Sequence, residues 1–146
     1  MVRYGLMIQC FVLLCGSMAC APKQTGPPTL SEHGYIVMLR ASSGSIWLNP
    51  GSTPPPGVHS VGELVVSVQD AQGRPVDGVS VEFQLGSSWA QSATVTPQRA
   101  VTRDGSVRAI IEPRTSGIIP VIVRVDNVTR QARFTAEAPS SGPSGR

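Results

Sequence analysis

The residues whose types invite chemistry are the thiols Cys10, Cys15 and Cys20, the imidazoles His33 and His59, and the carboxylates Asp70, Asp77, Asp104 and Asp126. All three cysteines fall within the first twenty residues, so no disulfide can staple the rest of the chain, and neither histidine has a cysteine or a spaced second histidine beside it to complete a zinc set. Cys10 and Cys15 belong to an apolar run from Leu6 to Cys15 that comes after Arg3, whereas Cys20 stands directly after Gly16-Ser17-Met18-Ala19. A basic start, a short apolar stretch and small residues before a processing point form an export signal, and they make Cys20 a thiol placed for lipid attachment. The four aspartates fall at expected turns, where loop carboxylates can gather a hard cation such as calcium. Asp also favours turns by bonding its own nearby backbone, and turn chemistry is the expectation, with no metal site. Serines are plentiful, but no serine, histidine and carboxylate arrangement can be identified, so neither catalysis nor a cofactor is expected.

The apolar run is too short to cross a hydrocarbon core of about 30 Å, which takes roughly 20 helical residues. A cleaved signal over residues 1–19 is therefore expected; the alternative is an uncleaved anchor extending from Tyr4 to Ala21. The end of this segment resembles the bacterial lipoprotein signal, in which cleavage before a cysteine leaves it as an acylated N-terminus, and Ala19-Cys20 carries that match. Ser17 stands where that pattern usually has leucine. Ser17-Met18-Ala19 also satisfies the small-x-small rule for ordinary signal cleavage, which keeps a lipid-free exported chain open. The resemblance implies a cell-envelope protein held on its membrane by lipid at Cys20. Ala21, a non-acidic residue after the cysteine, implies the outer membrane, with a periplasmic or secreted protein as the alternative.

From residue 20 onward the chain carries 11 basic and 9 acidic residues, a net +2, and Lys23 is its one lysine. Such a balanced, dispersed charge with few aromatics gives no case for nucleic acid as a partner. Residues 20–34 have the Pro, Gly and Thr character of a flexible tether, and residues 139–146 read as a disordered tail. Between them, residues 35–138 are enough for one domain.

That domain alternates with period two. Leu64, Val66 and Val68 share one face; Val79, Val81, Phe83 and Leu85 come next; then Val107, Ala109 and Ile111; Ile119, Val121, Val123 and Val125; and Ala132, Phe134 and Ala136. Asp70-Ala-Gln-Gly73-Arg-Pro75, Asp104-Gly105, Ser116-Gly117 and Asp126-Asn127 break the chain between them. An interrupted opening strand is expected over Tyr35–Arg40 and Ser45–Leu48. No window reads as an amphipathic helix. Short strands about ten residues apart argue for an all-β fold, an antiparallel two-sheet immunoglobulin-like β-sandwich.

The stretch from Leu64 through Asp70-Ala-Gln-Gly73-Arg-Pro75-Val-Asp-Gly78-Val to Phe83 resembles the group 1 bacterial immunoglobulin-like domains of the invasin and intimin type. Ala93-Thr-Val-Thr-Pro97, Thr102-Arg-Asp-Gly105 and Thr115-Ser-Gly117 before Pro120-Val-Ile-Val-Arg-Val125 extend that resemblance over about residues 46 to 138. It implies an extracytoplasmic binding, adhesion or spacer module with a protein partner. An accessory subunit of a larger envelope assembly is the alternative, and a secreted hydrolase or inhibitor built on a sandwich is a further one. Trp89, in the polar stretch Gly86-Ser-Ser-Trp-Ala-Gln-Ser, is expected either as a core lid or as a partner contact. Trp47 is expected to pack in the core. The end loops around Trp89 and residues 49–60 are the expected binding surface, and Pro54-Pro55-Pro56 reads as a stiff loop.

Overall fold

A computed structural model describes residues 23–42, 45–48, 56 and 59–138. Cys20, most of the 49–60 loop and the 139–146 tail lie outside the described residues. Among the described residues, eleven strands form two sheets. The first sheet contains β1 (Lys23–Gln24), β2 (Thr29–Leu30), β3 (Ile36–Ala41), β5 (Gly62–Gln69), β7 (Ala93–Thr96) and β9 (Ser106–Pro113). The second contains β4 (Ser45–Trp47), β6 (Ser80–Leu85), β8 (Arg99–Val101), β10 (Gly117–Val125) and β11 (Val128–Glu137). Strand order is β1-β3-β5-β9-β7 with β2 also on β3, facing β4-β11-β10-β6-β8. Every pairing between these strands is antiparallel except β4 on β11, where the chain switches sheets after β3 and runs alongside β11.

The alternating positions read from the sequence make up most of the core, and Val37, Leu39, Ala41, Ile46, Ala93, Val95 and Val128 complete it. Leu64, Val66 and Val68 are fully buried, as are Val81, Ala109, Ile111, Ile119, Val121 and Phe134, and Val107, Val123, Val125, Ala132 and Ala136 join them. Side chains two apart on a strand point to one face, so each strand lends one row to the gap between the sheets. Val79 and Leu85, expected inward, are half-buried at the ends of their strand and pack against the rim of this core. The opening strand is interrupted as expected, but its second half buries Ile46 and leaves Trp47 half-exposed. Alternation permits only one of two neighbours to face inward, and Leu48 continues the Ile46 row.

The 20–34 segment departs from expectation. In its described part it is a strap laid antiparallel along β3, pairing Thr29 with Val37 and Lys23 with Ala41. Composition argues that such a segment cannot order itself; here the free edge of β3 orders it, through backbone bonds that any residue except proline can make. Between the two short pairings, Gly26-Pro27-Pro28 leaves the ladder and crosses toward the second sheet. In chain order the strap starts at the end of the sandwich where β11 terminates and β9 passes to β10. It finishes at the end that carries the 126–127 turn.

Gly105 and Gly73 both have positive φ, at +66° and +77°, but a Cβ on Gly105 would lie 2.7 Å from the Pro75 backbone and 2.9 Å from the Val68 carbonyl, whereas nothing lies within 4 Å of Gly73. Gly73→Ala should therefore cost only the left-handed strain, about 1–2 kcal/mol. Gly105→Ala should cost on the order of 3 kcal/mol or more, because backbone must move. Urea unfolding of the two variants checks this, and equal losses would show that the Pro75 contact is slack.

Candidate functional site

The turns at one end of the sandwich are tied into a single polar knot. Asp70 folds its hairpin around its own carboxylate, which accepts from the Gln72 and Arg74 amides at 2.9 Å each and from Arg74 Nε at 2.7 Å. Those bonds, the Arg74 amide foremost, hold the Asp70 carboxyl below its ordinary value. Thr102, almost wholly buried, donates from Oγ1 to the Val76 carbonyl at 2.7 Å and accepts there from the Val79 amide at 3.0 Å. Asp77 accepts from the Gly105 amide at 2.8 Å. Asp104 and Asp126 each occupy a positive-φ turn position. All four aspartates thus do turn work, and among the described residues no three His, Cys, Asp or Glu side chains converge as a metal set.

The strap is fastened to this knot by Asp126 and Asn127. The Glu32 amide donates to Asn127 Oδ1 at 2.7 Å, and His33 bonds Asp126 through its amide at 3.3 Å and through Nδ1 at 2.7 Å. Ser31, buried, receives the Tyr35 amide on its hydroxyl at 3.0 Å and closes the turn by donating its own amide to the Tyr35 carbonyl. His33 stacks on Tyr35 with ring centroids 6.0 Å apart. A shallow depression of about 310 Å³ opens here, lined by His33, Tyr35, Asp77, Val79, Ser80 and Asp126. The Asp126 hydrogen bond, then its charge, raises the His33 pKa above 6.5, with Glu32 adding; the same bond, with help from the Ser31 hydroxyl, lowers Asp126 below 3.8. Sequence alone makes His33 a lone surface histidine on a tether. In the fold it is the clasp of the strap.

Sequence reasoning missed Arg130, which fastens the middle of the strap. Its guanidinium donates to the Pro27 carbonyl, to Thr29 Oγ1 and, at 2.9 Å, to the Thr25 carbonyl. Arg130 reaches them because it belongs to the inward row of β11, between buried Val128 and Ala132, at an edge that β4 covers only from Thr135 onward. The sequence signal was there: one arginine interrupting an otherwise apolar alternate row, which calls for acceptors close by.

Trp89 lies at the opposite end, in a short 3₁₀ turn, Ser87–Trp89, between β6 and β7. It is half-buried against the core, and its ring edge would meet a Cβ on Gly117 at 2.9 Å. This is the geometry of a lid, with part of the ring still exposed. His59 also lies at this end, its carbonyl accepting from the Trp47 amide at 2.7 Å, so the two histidines are not brought together. A lateral groove of about 480 Å³ runs between the edges of the sheets, lined among others by Phe83, Leu85, Ala93, Val95, Gln98 and Arg99.

No protein-family model matches the chain, and no curated relative matches it. Among solved structures, it is similar to the D00-D0 domain of intimin, with 12% identity and a TM-score of 0.57 over 75% of this chain. It is also similar to InvD of Yersinia pseudotuberculosis, with 16% identity and a TM-score of 0.53 over 83%. A C-terminal 282-residue fragment of intimin, solved in complex with the intimin-binding domain of the translocated intimin receptor, matches over 67% with 17% identity and a TM-score of 0.52. The chain covers 50%, 32% and 31% of those three. These likenesses show the fold: an immunoglobulin-like β-sandwich of the intimin and invasin type.

Two outcomes are expected from this geometry. The His33 contribution to strap docking is full below the ordinary imidazole value of 6.5 and fades as pH rises through its raised value; that of Asp126 is present above 3.8 and fades as pH falls through its lowered value. Amide-exchange protection of Glu32 and His33 should therefore fall as pH rises from 6.5 through the raised His33 value, and His33→Gln should flatten that profile. Trp89→Ala should destabilise the domain by about 2 kcal/mol, less than the 3–5 kcal/mol of a fully buried tryptophan. An unchanged melting curve would instead leave Trp89 as a contact residue alone.

Proposed function

We propose that this chain is a membrane-tethered cell-envelope immunoglobulin-like module that works by binding a protein partner and carries no catalysis of its own. The observation that supports it most is the joining of two features in one chain. An export segment ending in Ser17-Met18-Ala19-Cys20 precedes a sandwich whose fold is that of intimin and InvD domains. One fragment with this fold is known in complex with a receptor domain, which supports a protein partner here. Processing before Cys20 would leave that residue as the mature N-terminus, with its sulfur joined by a thioether to a diacylglycerol. Each buried CH₂ contributes about 0.8 kcal/mol, so two or more chains hold a protein on a bilayer where one does not. The outer membrane is the proposed location.

Intact-mass analysis of the membrane-extracted protein should give a chain that starts at Cys20 and carries lipid mass. Cys20→Ser should move the protein to the soluble fraction without changing its melting temperature. A mature chain starting at Cys20 without lipid would remove the anchor while leaving the exported sandwich. Cross-linking in intact cells then discriminates between roles: capture of a host or matrix protein supports adhesion, and capture of envelope neighbours favours an accessory subunit of a larger assembly.

A further inference from the structure

Both covalent ends of the folded unit leave the sandwich at the same end. β11 runs from the 126–127 turn toward the Trp89 end, bringing Ala136 opposite Gly117 and closing at Glu137. The strap returns along β3 in the opposite sense, so that going from Leu30 to Lys23 the chain also travels toward the Trp89 end, where Lys23 pairs with Ala41. Without the strap, the domain would begin at Tyr35, at the other end. The docked strap therefore carries the start of the chain across the length of the sandwich, about 30 Å for a strand as long as β11.

The strap also shortens the reach of Cys20. A free 14-residue tether could stretch to about 48 Å, whereas only three peptide units separate the Cα atoms of Cys20 and Lys23, and trans geometry limits that span to about 11 Å. We propose that the module stands base-down on its membrane. The Trp89 end, with the 114–116 connection and Glu137, lies against the bilayer that holds Cys20. The end built from residues 31–35, 70–79, 102–105 and 126–127 points away from the bilayer. This rests on the reading that Cys20 is acylated. It leaves the depression bordered by His33, Tyr35, Asp77 and Asp126 at the end remote from the membrane.

Arg130 is the positioning residue of this arrangement, since its three bonds hold the strap across the gap between β3 and β11. The test uses the lipid-bearing protein in phosphatidylethanolamine and phosphatidylglycerol vesicles containing a headgroup-linked acceptor dye. A donor is attached through Thr115→Cys at the base or through Gln72→Cys at the far end, both exposed positions. Energy transfer should be several-fold stronger from residue 115 than from residue 72, and Arg130→Ala should bring the two toward equality by freeing the strap. Equal transfer from both sites in the otherwise unaltered protein, or stronger transfer from residue 72, overturns the orientation while leaving the anchor standing. Absence of lipid mass on Cys20 overturns the anchor and the orientation together.

Discussion

No disulfide crosses between the two sheets, because no cysteine comes after Cys20, so their facing apolar rows carry most of the contact between them. The rest of the structure answers to that constraint. Val, Ile, Leu, Ala and two phenylalanines fill the gap, with Leu64, Ile111 and Phe134 completely removed from solvent. Each such side chain contributes about 1.5–3 kcal/mol on burial, and the ordering entropy of the chain opposes the sum, so the net stability of a single domain is small. A sandwich of this size cannot therefore tolerate loose ends. Water entering between sheets at an uncovered edge would remove contacts that no disulfide replaces.

Polar devices close those vulnerable places. At one end, Thr102 and Asp77 join the hairpin after β5 to the turn before β9, each satisfying backbone groups that would otherwise be stranded as the chain crosses from sheet to sheet. Pro75 rests on Gly105 so closely that no side chain fits there. This explains why Asp-x-x-Gly-x-Pro, Val-Asp-Gly and Thr-x-Asp-Gly occur together in one sequence: they are three parts of one knot. Along the side, Arg130 and the strap cover the stretch of β11 that β4 does not reach.

The core rows and the turns are legible in the sequence because both are local. Alternation from Ile119 to Val125 fixes which residues face inward, and Asp70-Ala-Gln-Gly73 declares its turn within four residues. The strap is not legible, because its order comes from the edge of β3 and from Arg130, about a hundred residues away, through backbone groups that leave no mark in composition. His33 reads as solvent-exposed on its own. Only the fold brings it to Asp126, whose positive-φ turn aims the carboxylate at it. Trp47 misleads because an aromatic residue in an alternating strand suggests the core, while its smaller neighbour Ile46 holds the inward place.

The strap also changes what the same sandwich can do mechanically. An in-line spacer must receive the chain at one end and release it at the other, as a unit beginning at Tyr35 and closing at Glu137 would. With residues 23–34 docked, a pull on the chain before Lys23 and after Ala138 acts on one end of the sandwich, peeling β1 from β3 at a two-residue pairing. Such a unit transmits little tension along its length. The polar knot lies at the end remote from both chain exits, and its bonds and those of Asp126 keep His33, Tyr35 and Asp77 in one arrangement.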